Sequence, residues 1–569
     1  MEFQIEHLYS KDNLPILKIN NFFLHSKYNP VREAEQFVHN KYKENSIHIL
    51  LGYGSGYIVN AFLNKFRFKE KLIVIDPFME AEMIDVQKEH KEQKSLVFFN
   101  SEQVEHLAYF LRKMEMQDYQ TAFTVVVSPN YEKFFEKLHL EVLKQVKESQ
   151  YRSITDINTM YKSTNLWQKN IIKSLFYLQT DVSLNVLRNK FEMPVIVASG
   201  GPSLTKQLPF LKQIEKKVII IAAGSTINSL LAYNIVPDYI VAIDGSVEAF
   251  MHFKNNTFDK SRLIYTPTNY SEIRKSFNNV AYLFGIKVGD LENILKNKFQ
   301  IEVPIISGGG TVAQYSLNVA RFISSGPIAL IGQDLAYTNN QTHAENNERF
   351  EVVELSGLDE KTHFFIKGYN EEPVLTSTVF YDMKRDFERL ITLLEKPEWI
   401  FNCTEGGVKL EGYNQISFTT FINQYVYIND VNKFEVLKDA SKSNISKEEI
   451  IKYLKESLEV YSLIKKHLNS GIKLLRGNIK LSPNQIERLK TINLEINSLF
   501  KNVLIEEMIN KIKYSASRIY LEKQNDTSLK KNERVIEGTL YIFQKLLESV
   551  DEINSYTKEL LIEKEHLNE

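Results

Sequence analysis

Gly200, Gly201, Pro202 and Ser203 form a knot of small residues after the apolar run 195–198 and before a helical rhythm carried by Leu204, Leu208 and Leu211. A strand that breaks into such a knot and re-enters as a helix places backbone N–H groups at an open helix start, which suits an anion, most often phosphate. Each residue has a physical job in that setting. Gly200 and Gly201 permit close approach or unusual dihedrals. Pro202 fits the first helical position, where its missing N–H costs nothing. Ser203 can donate a hydroxyl proton to a phosphate oxygen. A plain tight turn joining strand to helix remains the alternative.

A second turn of the same kind lies at Ser307, Gly308, Gly309 and Thr311, again between an apolar run and a helical pattern. Two such turns facing one crevice would hold a nucleotide phosphate from two sides. Neither is followed by Gly-Lys-Ser/Thr, so ATP hydrolysis of the P-loop type is not expected.

The elements that must position these turns repeat one unit from 193 to about 335. Short, nearly all-apolar runs (194–200, 217–224, 238–245, 262–268, 280–286, 303–306 and 326–332) alternate with helical stretches. That pattern predicts a mostly parallel sheet covered on both faces, with ligands gathering outside the carboxyl ends of the strands. At those ends stand Gly200, Gly201, Ser203, Gly224, Ser225, Asp244, Gly308, Gly309, Thr311, Gln333 and Asp334. Beyond Asp334, the polar stretch 337–347 has no periodicity and reads as a loop over the same edge. Its one histidine, His343, with Glu345 near it, is a candidate general base; an ordinary surface histidine is the alternative. The chain contains neither His-Glu-x-x-His nor a close cluster of His, Cys and Asp, so no metal site is expected.

The first 190 residues predict a separate α/β domain with a helical tail. Gly52, Gly54 and Gly56 form a GxGxG turn between a strand and a helix, and Asp76 closes the next strand twenty residues beyond Gly56. This is where a dinucleotide or methyltransferase-like fold places its ribose acid. Such turns also serve only to pack a helix on a strand. After about 430 the chain is rich in Lys, Glu, Leu and Ile. Ser446 with Glu449 forms a capping box. Ser482, Pro483 and Gln485 give another helix start, and 532–554 is a further amphipathic stretch. A helical bundle follows, its apolar stripes read as core and its mixed charges as a solvated face.

Composition bounds the rest. A chain of 569 residues is too long for one core. Its hydrophobic fraction of 43% and charged fraction of 25% are those of a folded protein. Seventy basic against 71 acidic residues give a net charge of −1 and no global pull toward nucleic acid or anionic membrane. The single cysteine, Cys403, precludes an intrachain disulfide, and no apolar run approaches the roughly 20 residues of a membrane span. The first residues do not read as a secretion signal. The expected location is cytoplasmic, without membrane insertion.

The blocks 198–204 (ASGGPSL), 236–245 (VPDYIVAIDG), 307–320 (SGGGTVAQYSLNVA), 331–337 (IGQDLAY) and 401–412 (FNCTEGGVKLEG) occur in an order that resembles the motility accessory factor (Maf) proteins. The segment 52–78 matches that family's N-terminal domain as well. The resemblance implies a flagellin glycosyltransferase. Such an enzyme moves a nonulosonic acid, pseudaminic or legionaminic, from its CMP-activated form to Ser or Thr of flagellin. It implies an α/β fold in three parts: an N-terminal Rossmann-like domain over 1–190, a central Rossmann-like, sialyltransferase-like domain over 191–430 and a C-terminal helical bundle over 431–569.

By the same resemblance, Gly200, Gly201, Pro202 and Ser203 hold the cytidine nucleotide's phosphate. Ser307, Gly308 and Gly309 form a second donor-contacting turn, and Asp244 faces the donor. His343 falls near the family's base region, with Glu405 in reserve for that role or as a brace for its own loop. A sugar-acid donor also requires a carboxylate partner, for which Thr311, Lys409 and Arg321 are candidates. The partners implied are flagellin and a nucleotide sugar, with a homo-oligomer open and no further cofactor. The central turns are also similar to those of MptE-like pterin pyrophosphokinases, which leaves pyrophosphoryl transfer as an alternative. A non-enzymatic flagellin-holding protein is a third reading.

Overall fold

The computed structural model describes residues 3–66, 70–78, 95–118, 122–287, 289–426, 443–520 and 526–566. It has a mixed α/β architecture with several sheets and a helix-rich C-terminal region. Its contacts sort the chain into two compact units. One comprises Met1–Lys162, Asn469–Lys490 and Ile509–Leu546; the other comprises Ser163–Leu468, Thr491–Met508 and Leu547–Glu569. The first continuous segment of the first unit ends at Lys162, and segments of the C-terminal helices are counted in both units.

In the first unit, β1 (Ile5–Tyr9), β2 (Pro15–Ile19) and β3 (Phe22–Phe23) make a small antiparallel sheet. Helix α1 (Pro30–Lys41) follows, with Asn29 accepting from the Arg32 N–H as its cap. A second sheet is all parallel, in the order β6 (Leu96–Phe98), β5 (Lys71–Ile75), β4 (Ser46–Leu51), β7 (Ala122–Val127). All six residues of β4 are buried, Ile47, Ile49, Leu50 and Leu51 in the two cores, with the polar Ser46 and His48 hydrogen-bonded to Thr124 and the Lys43 N–H. Helix α2 (Tyr57–Lys65) packs on one face through Ile58, Val59 and Phe62, and α3 (Leu107–Asp118) on the other through Leu107 and Leu111; the long helix α4 (Glu136–Ser174) follows β7.

The glycine turn between β4 and α2 is filled by the chain itself. Asp76 is buried; its Oδ2 accepts from the Tyr53 and Gly54 N–H groups at 2.6 and 3.3 Å and from the Tyr131 hydroxyl at 2.6 Å. Its Oδ1 accepts from the Phe78 N–H at 2.8 Å. His25 Nε2 accepts from the Ser55 N–H at 2.9 Å, and its ring lies 2.6 Å from where a Cβ on Gly54 (φ +58°) would stand. An acid with its oxygens so engaged does not reach for a ribose. The packing reading of this turn is the one its contacts support.

The second unit is built on nine parallel strands: β8 (Val182–Ser183), β9 (Val195–Ala198), β10 (Ile219–Ala223), β11 (Tyr239–Ala242), β12 (Arg262–Tyr265), β13 (Tyr282–Leu283), β14 (Ile328–Ile331), β17 (Ile400–Asn402) and β18 (Asn414–Gln415). Their order in the sheet is β18-β17-β14-β9-β10-β11-β12-β13-β8. Alternate residues of β9 face alternate layers. Val195 and Val197 join Leu317, Ala320 and Ile323 of α8 (Val312–Ile323); Ile196 and Ala198 join Leu204, Leu208, Leu211 and Ile214 of α5 (Leu204–Ile214). Each Leu or Ile so buried contributes about 2 kcal/mol. Helix α6 (Ile227–Ala232) follows β10, and α7 (Asp290–Phe299) follows β13. A hairpin, β15 (His363–Lys367) with β16 (Pro373–Ser377), and α9 (Thr378–Leu393) separate β14 from β17. The edge is pinned beside β8 by Asp181, gripped at 2.6 and 2.8 Å by Arg274 Nη2 and Nε and at 2.7 Å by the Tyr265 hydroxyl.

Beyond residue 442 the capping signals hold. Helix α10 (Lys447–Leu475) starts on a reciprocal box, with Ser446 N–H donating to Glu449 and the Glu449 N–H to Ser446 Oγ. Helix α11 (Pro483–Phe500) starts on the same exchange between Ser482 and Gln485. Helices α12 (Glu506–Ile519) and α13 (Ser528–His566) complete the chain.

Two buried imidazoles of the first unit accept backbone protons, which only a neutral ring can do: His25 from Ser55, and His48 Nε2 from Lys43 at 3.0 Å. Burial lowers both pKa values from 6.5 to about 4. Below pH 6.5 the unfolded chain takes up protons that the folded rings refuse. The stability these rings contribute is therefore full above pH 6.5 and is lost as the pH falls toward 4. Thermal unfolding at pH 5 and pH 7, with hydrogen exchange read over β4 and α2, should show the first unit weaker at pH 5. His25→Gln, whose amide oxygen can still accept from Ser55, should flatten part of that slope.

Candidate functional site

Strand order reverses at β9. Its chain successor β10 lies on one side and β14 on the other, so a crevice opens at the carboxyl ends of β9 and β14, the topological switch point at which ligands bind in such sheets. Residues 199–203 leave β9 there, and Gly332, Gln333 and Asp334 leave β14.

One carboxylate holds this junction. Asp334, 1% exposed, accepts the Ser203 N–H at 3.1 Å and the Ser203 hydroxyl at 2.6 Å on Oδ1, and the Thr338 hydroxyl at 2.6 Å on Oδ2. Burial pushes its pKa up from the ordinary carboxylate value, against the pull of these donors. The Ser203 proton is thus committed to Asp334 rather than left for a phosphate oxygen, a correction to the role read from the sequence. Gly201 is required by close approach: a Cβ there would stand 2.3 Å from Asp334 Oδ1 and 2.5 Å from the Gly332 carbonyl. Pro202 lies before the helix rather than at its first position, since α5 begins at Leu204 with Ser203 as its flanking residue.

Gln333 also faces inward. Its Oε1 accepts from Ser199 Oγ at 2.7 Å and its N–H donates to Thr404 Oγ1 at 3.2 Å. The loop after β17 closes on the same point: the Val408 N–H donates to the Asp334 carbonyl at 2.8 Å, and a Cβ on Gly406 would stand 3.0 Å from Ser203 Cβ. Glu405, at φ +53°, spends Oε2 on the Phe418 N–H at 2.8 Å, the loop-holding role.

The side of the turn away from Asp334 is at Gly200. The loop after β14 folds over it: the Ala344 N–H donates to the Gly200 carbonyl at 2.9 Å, and Asn347 Nδ2 donates to the Ser225 carbonyl at 2.8 Å. From the position of a Gly200 Cβ, Asn347 Nδ2 would be 2.9 Å away, Thr226 Oγ1 3.5 Å and His343 Cδ2 3.8 Å. His343 is half-buried, and burial holds its pKa below the ordinary histidine value. The ring is neutral at physiological pH and able to take a proton. Its Nδ1 is buried; the Arg349 backbone raises its pKa from nearby, but no contact meets hydrogen-bond geometry. The structure therefore brings His343 to the glycine turn across 143 positions of sequence. Thr226 and Asn347 were missed by sequence reasoning. The only sequence signal for Thr226 was its place directly after Gly224 and Ser225.

The remaining positions lie farther along the same edge. Gly224, at the end of β10, packs against Phe253; Asp244, after β11, is exposed and accepts the Ser246 N–H at 2.9 Å. The second glycine turn follows residues 304–306, which extend the sheet beside Gly285 beyond β13. In sheet order β13 is four positions from β9, roughly 19 Å at ordinary strand spacing. From there the turn runs into α8, which packs on β9, β10 and β11. Gly308 and Gly309 are crowded by Tyr315 and Gln314, and Thr311 exchanges hydrogen bonds with Gln314 as a capping box. Ser307 is exposed, and its carbonyl accepts from Asn318.

The carboxylate candidates fare differently. Arg321 sits in the last turn of α8, which starts at the carboxyl edge; its guanidinium bonds the Ser324 carbonyl at the opposite edge of the sheet. It cannot serve this crevice. Lys409 pairs with Glu371 at 2.7 Å. Among the described residues no helix is long and apolar enough to cross a membrane, and no group of three or more His, Cys, Asp or Glu converges as a metal site.

This combination, a parallel sheet covered on both faces with a glycine turn at its switch point, defines an α/β protein of the open-sheet class. Residues 169–340 match the family described as 6-hydroxymethylpterin diphosphokinase MptE-like. No curated protein matches the chain. Among solved structures, the MAf glycosyltransferase from Magnetospirillum magneticum AMB-1 is similar over 99% of this chain and 91% of its own, at 12% identity and a TM-score of 0.54. The central segment 169–340 is thus MptE-like in sequence, and the chain shares its fold with the solved MAf structure.

Removing the clamp should cost stability in order of bonds lost. Ser203→Ala should destabilise the protein by about 2 kcal/mol, one hydrogen bond to a buried charge. Asp334→Ala strands an N–H and two hydroxyls and should cost about 3 kcal/mol or more. Urea unfolding of the two variants and of the double mutant checks this: non-additivity of less than about 0.5 kcal/mol would mean that the pair does not interact.

Proposed function

We propose that the protein is a glycosyltransferase that moves a nonulosonic acid, pseudaminic or legionaminic, from its CMP-activated donor to Ser or Thr hydroxyls of flagellin in the cytoplasm. The observation that carries the reading is the convergence of three strand-end segments (199–203, 332–334 and 403–408) on Asp334 at the switch point, in a chain whose whole length shares the fold of a Maf glycosyltransferase.

In this reading the donor lies along the carboxyl edge, its phosphate at Gly200 and its remainder running toward Asp244 and the Ser307–Thr311 turn. Backbone donors and hydroxyls hold the phosphate and stabilise the charge that CMP carries as it leaves. The acceptor oxygen bonds to the anomeric carbon as the bond from that carbon to the phosphate oxygen breaks. The electron pair departs with CMP, and the hydroxyl proton passes to His343, neutral at the working pH. A single displacement inverts the anomeric centre. Gly201, Pro202, Gln333 and Asp334 act by holding the turns in shape, and Glu405 by holding its own loop.

The MptE-like match favours one competitor, pyrophosphoryl transfer from ATP to a hydroxymethylpterin-type alcohol. Both reactions need a phosphate cradle at a glycine turn and differ in what leaves.

Intact-mass spectrometry of flagellin, incubated with the protein and either CMP-activated sugar acid, separates them. Mass steps of one sugar acid are expected, with CMP released. AMP formed from ATP and the pterin alcohol, without any mass step, would transfer the protein to the competing reading. For His343→Ala the transfer rate should fall about a hundredfold or more. In the wild type the rate should drop on acidification with a midpoint below 6.5, since burial depresses this imidazole.

A further inference from the structure

The Ser203 hydroxyl proton is used inside the fold, so the side-chain donor at the mouth of the turn must come from elsewhere. Thr226 ends the short turn Gly224–Thr226 that follows β10, the strand next to β9. The residue is 0% exposed, and its Oγ1 has no hydrogen-bond partner among the described residues. Threonine at the foot of a helix ordinarily spends its hydroxyl on a backbone carbonyl or an N–H. Here neither bond is made. Leaving such a group unpaired in a dry interior is costly, and a buried donor held without a partner points to an acceptor brought by a ligand.

Its surroundings indicate what that acceptor is. Thr226 Oγ1 lies 3.5 Å from where a Gly200 Cβ would stand, on the side of the turn covered by Asn347 and His343. The Asn347 amide gives one proton to the Ser225 carbonyl and has a second to offer. Glycine at 200 lets the Asn347 amide pack close against the turn, since a β-carbon there would meet Asn347 Nδ2 at 2.9 Å. A hydroxyl donor and an amide donor around a side-chain-free turn, with no carboxylate in that set, suit an anionic oxygen.

We infer that Thr226, with Asn347, supplies the side-chain hydrogen bonds to the phosphate of the nucleotide that binds at Gly200. This rests on the nucleotide-binding reading of the crevice and adds to it the donor that Ser203 cannot be. The same chemistry serves the phosphate of CMP or those of ATP, so the assignment holds in either reaction.

The test is Thr226→Val, which keeps the shape and removes the hydroxyl. In the full-length protein, calorimetric titration with CMP should show affinity weakened roughly ten- to hundredfold, the loss of one hydrogen bond to a charged group. Cytidine, which lacks the phosphate, should bind both proteins alike. The melting temperature without ligand should be unchanged or raised, because an unpaired buried hydroxyl has been removed. Thr226→Ser should retain CMP binding.

Equal CMP binding by wild type and Thr226→Val overturns the inference, as does an equal loss for CMP and cytidine. A Val variant that melts well below the wild type while binding CMP normally also overturns it, by giving the hydroxyl a structural partner. Wild-type protein that ignores CMP but binds ATP would remove the sugar-transfer reading alone, and the same comparison is then read with ATP. Wild-type protein that binds neither CMP, ATP nor inorganic pyrophosphate overturns both.

Discussion

The carboxylate of Asp334 is the constraint on which the candidate site depends. It is buried where the strand order reverses, and it takes an N–H and a hydroxyl from Ser203, 131 residues away, and a hydroxyl from Thr338 in the turn that follows it. Its own carbonyl accepts from Val408, so the loop after β17 is held to the same residue. A charge in that position demands saturation by donors. Satisfying it fixes the start of α5, the end of β14 and the following turn in one arrangement.

That demand divides labour among residues that look alike in the sequence. Ser203, Gln333 and Asp334 turn inward and brace. Gly201 allows the two turns to touch. The outward side of the same turn is left to Gly200, with Thr226 from the neighbouring strand end and His343 and Asn347 from the loop that folds over it. Rigid bracing beneath and adaptable donors above is how a scaffold presents a preorganised anion site. The first unit is an instructive contrast. Its glycine turn has the same strand–turn–helix form, but Asp76, Tyr131 and His25 occupy it from within. The motif survives there as packing.

Much of the architecture was legible because it follows from local rules. Runs such as 195–198 and 219–223 are apolar on both faces, which only strands covered on both sides can satisfy. Ser446 with Glu449 and Ser482 with Gln485 announce their helix starts because an orphan N–H needs a nearby acceptor, and both exchanges are made. Placing His343 by the glycine turn was legible from its position in a polar loop beyond a strand end. The reach of Arg321 was not. Its number places it on the helix after the second turn, but the helix carries it roughly 14 Å from the carboxyl edge toward the other side of the sheet.

The sequence by itself determined the alternation of strands and helices, the carboxyl edge as the place where small and polar residues collect, and the helix starts of the C-terminal region. These depend on neighbours within a few positions, where periodicity and capping chemistry act. Which hydroxyl is spent inside the fold and which is left without an acceptor there was decided only by tertiary structure. A hydroxyl's availability depends on whether a buried acceptor lies within about 3 Å. For Ser203 that acceptor is Asp334, 131 residues away; for Thr226 no such acceptor is provided among the described residues. Local sequence carries no record of that difference, because it arises when distant strands are laid side by side.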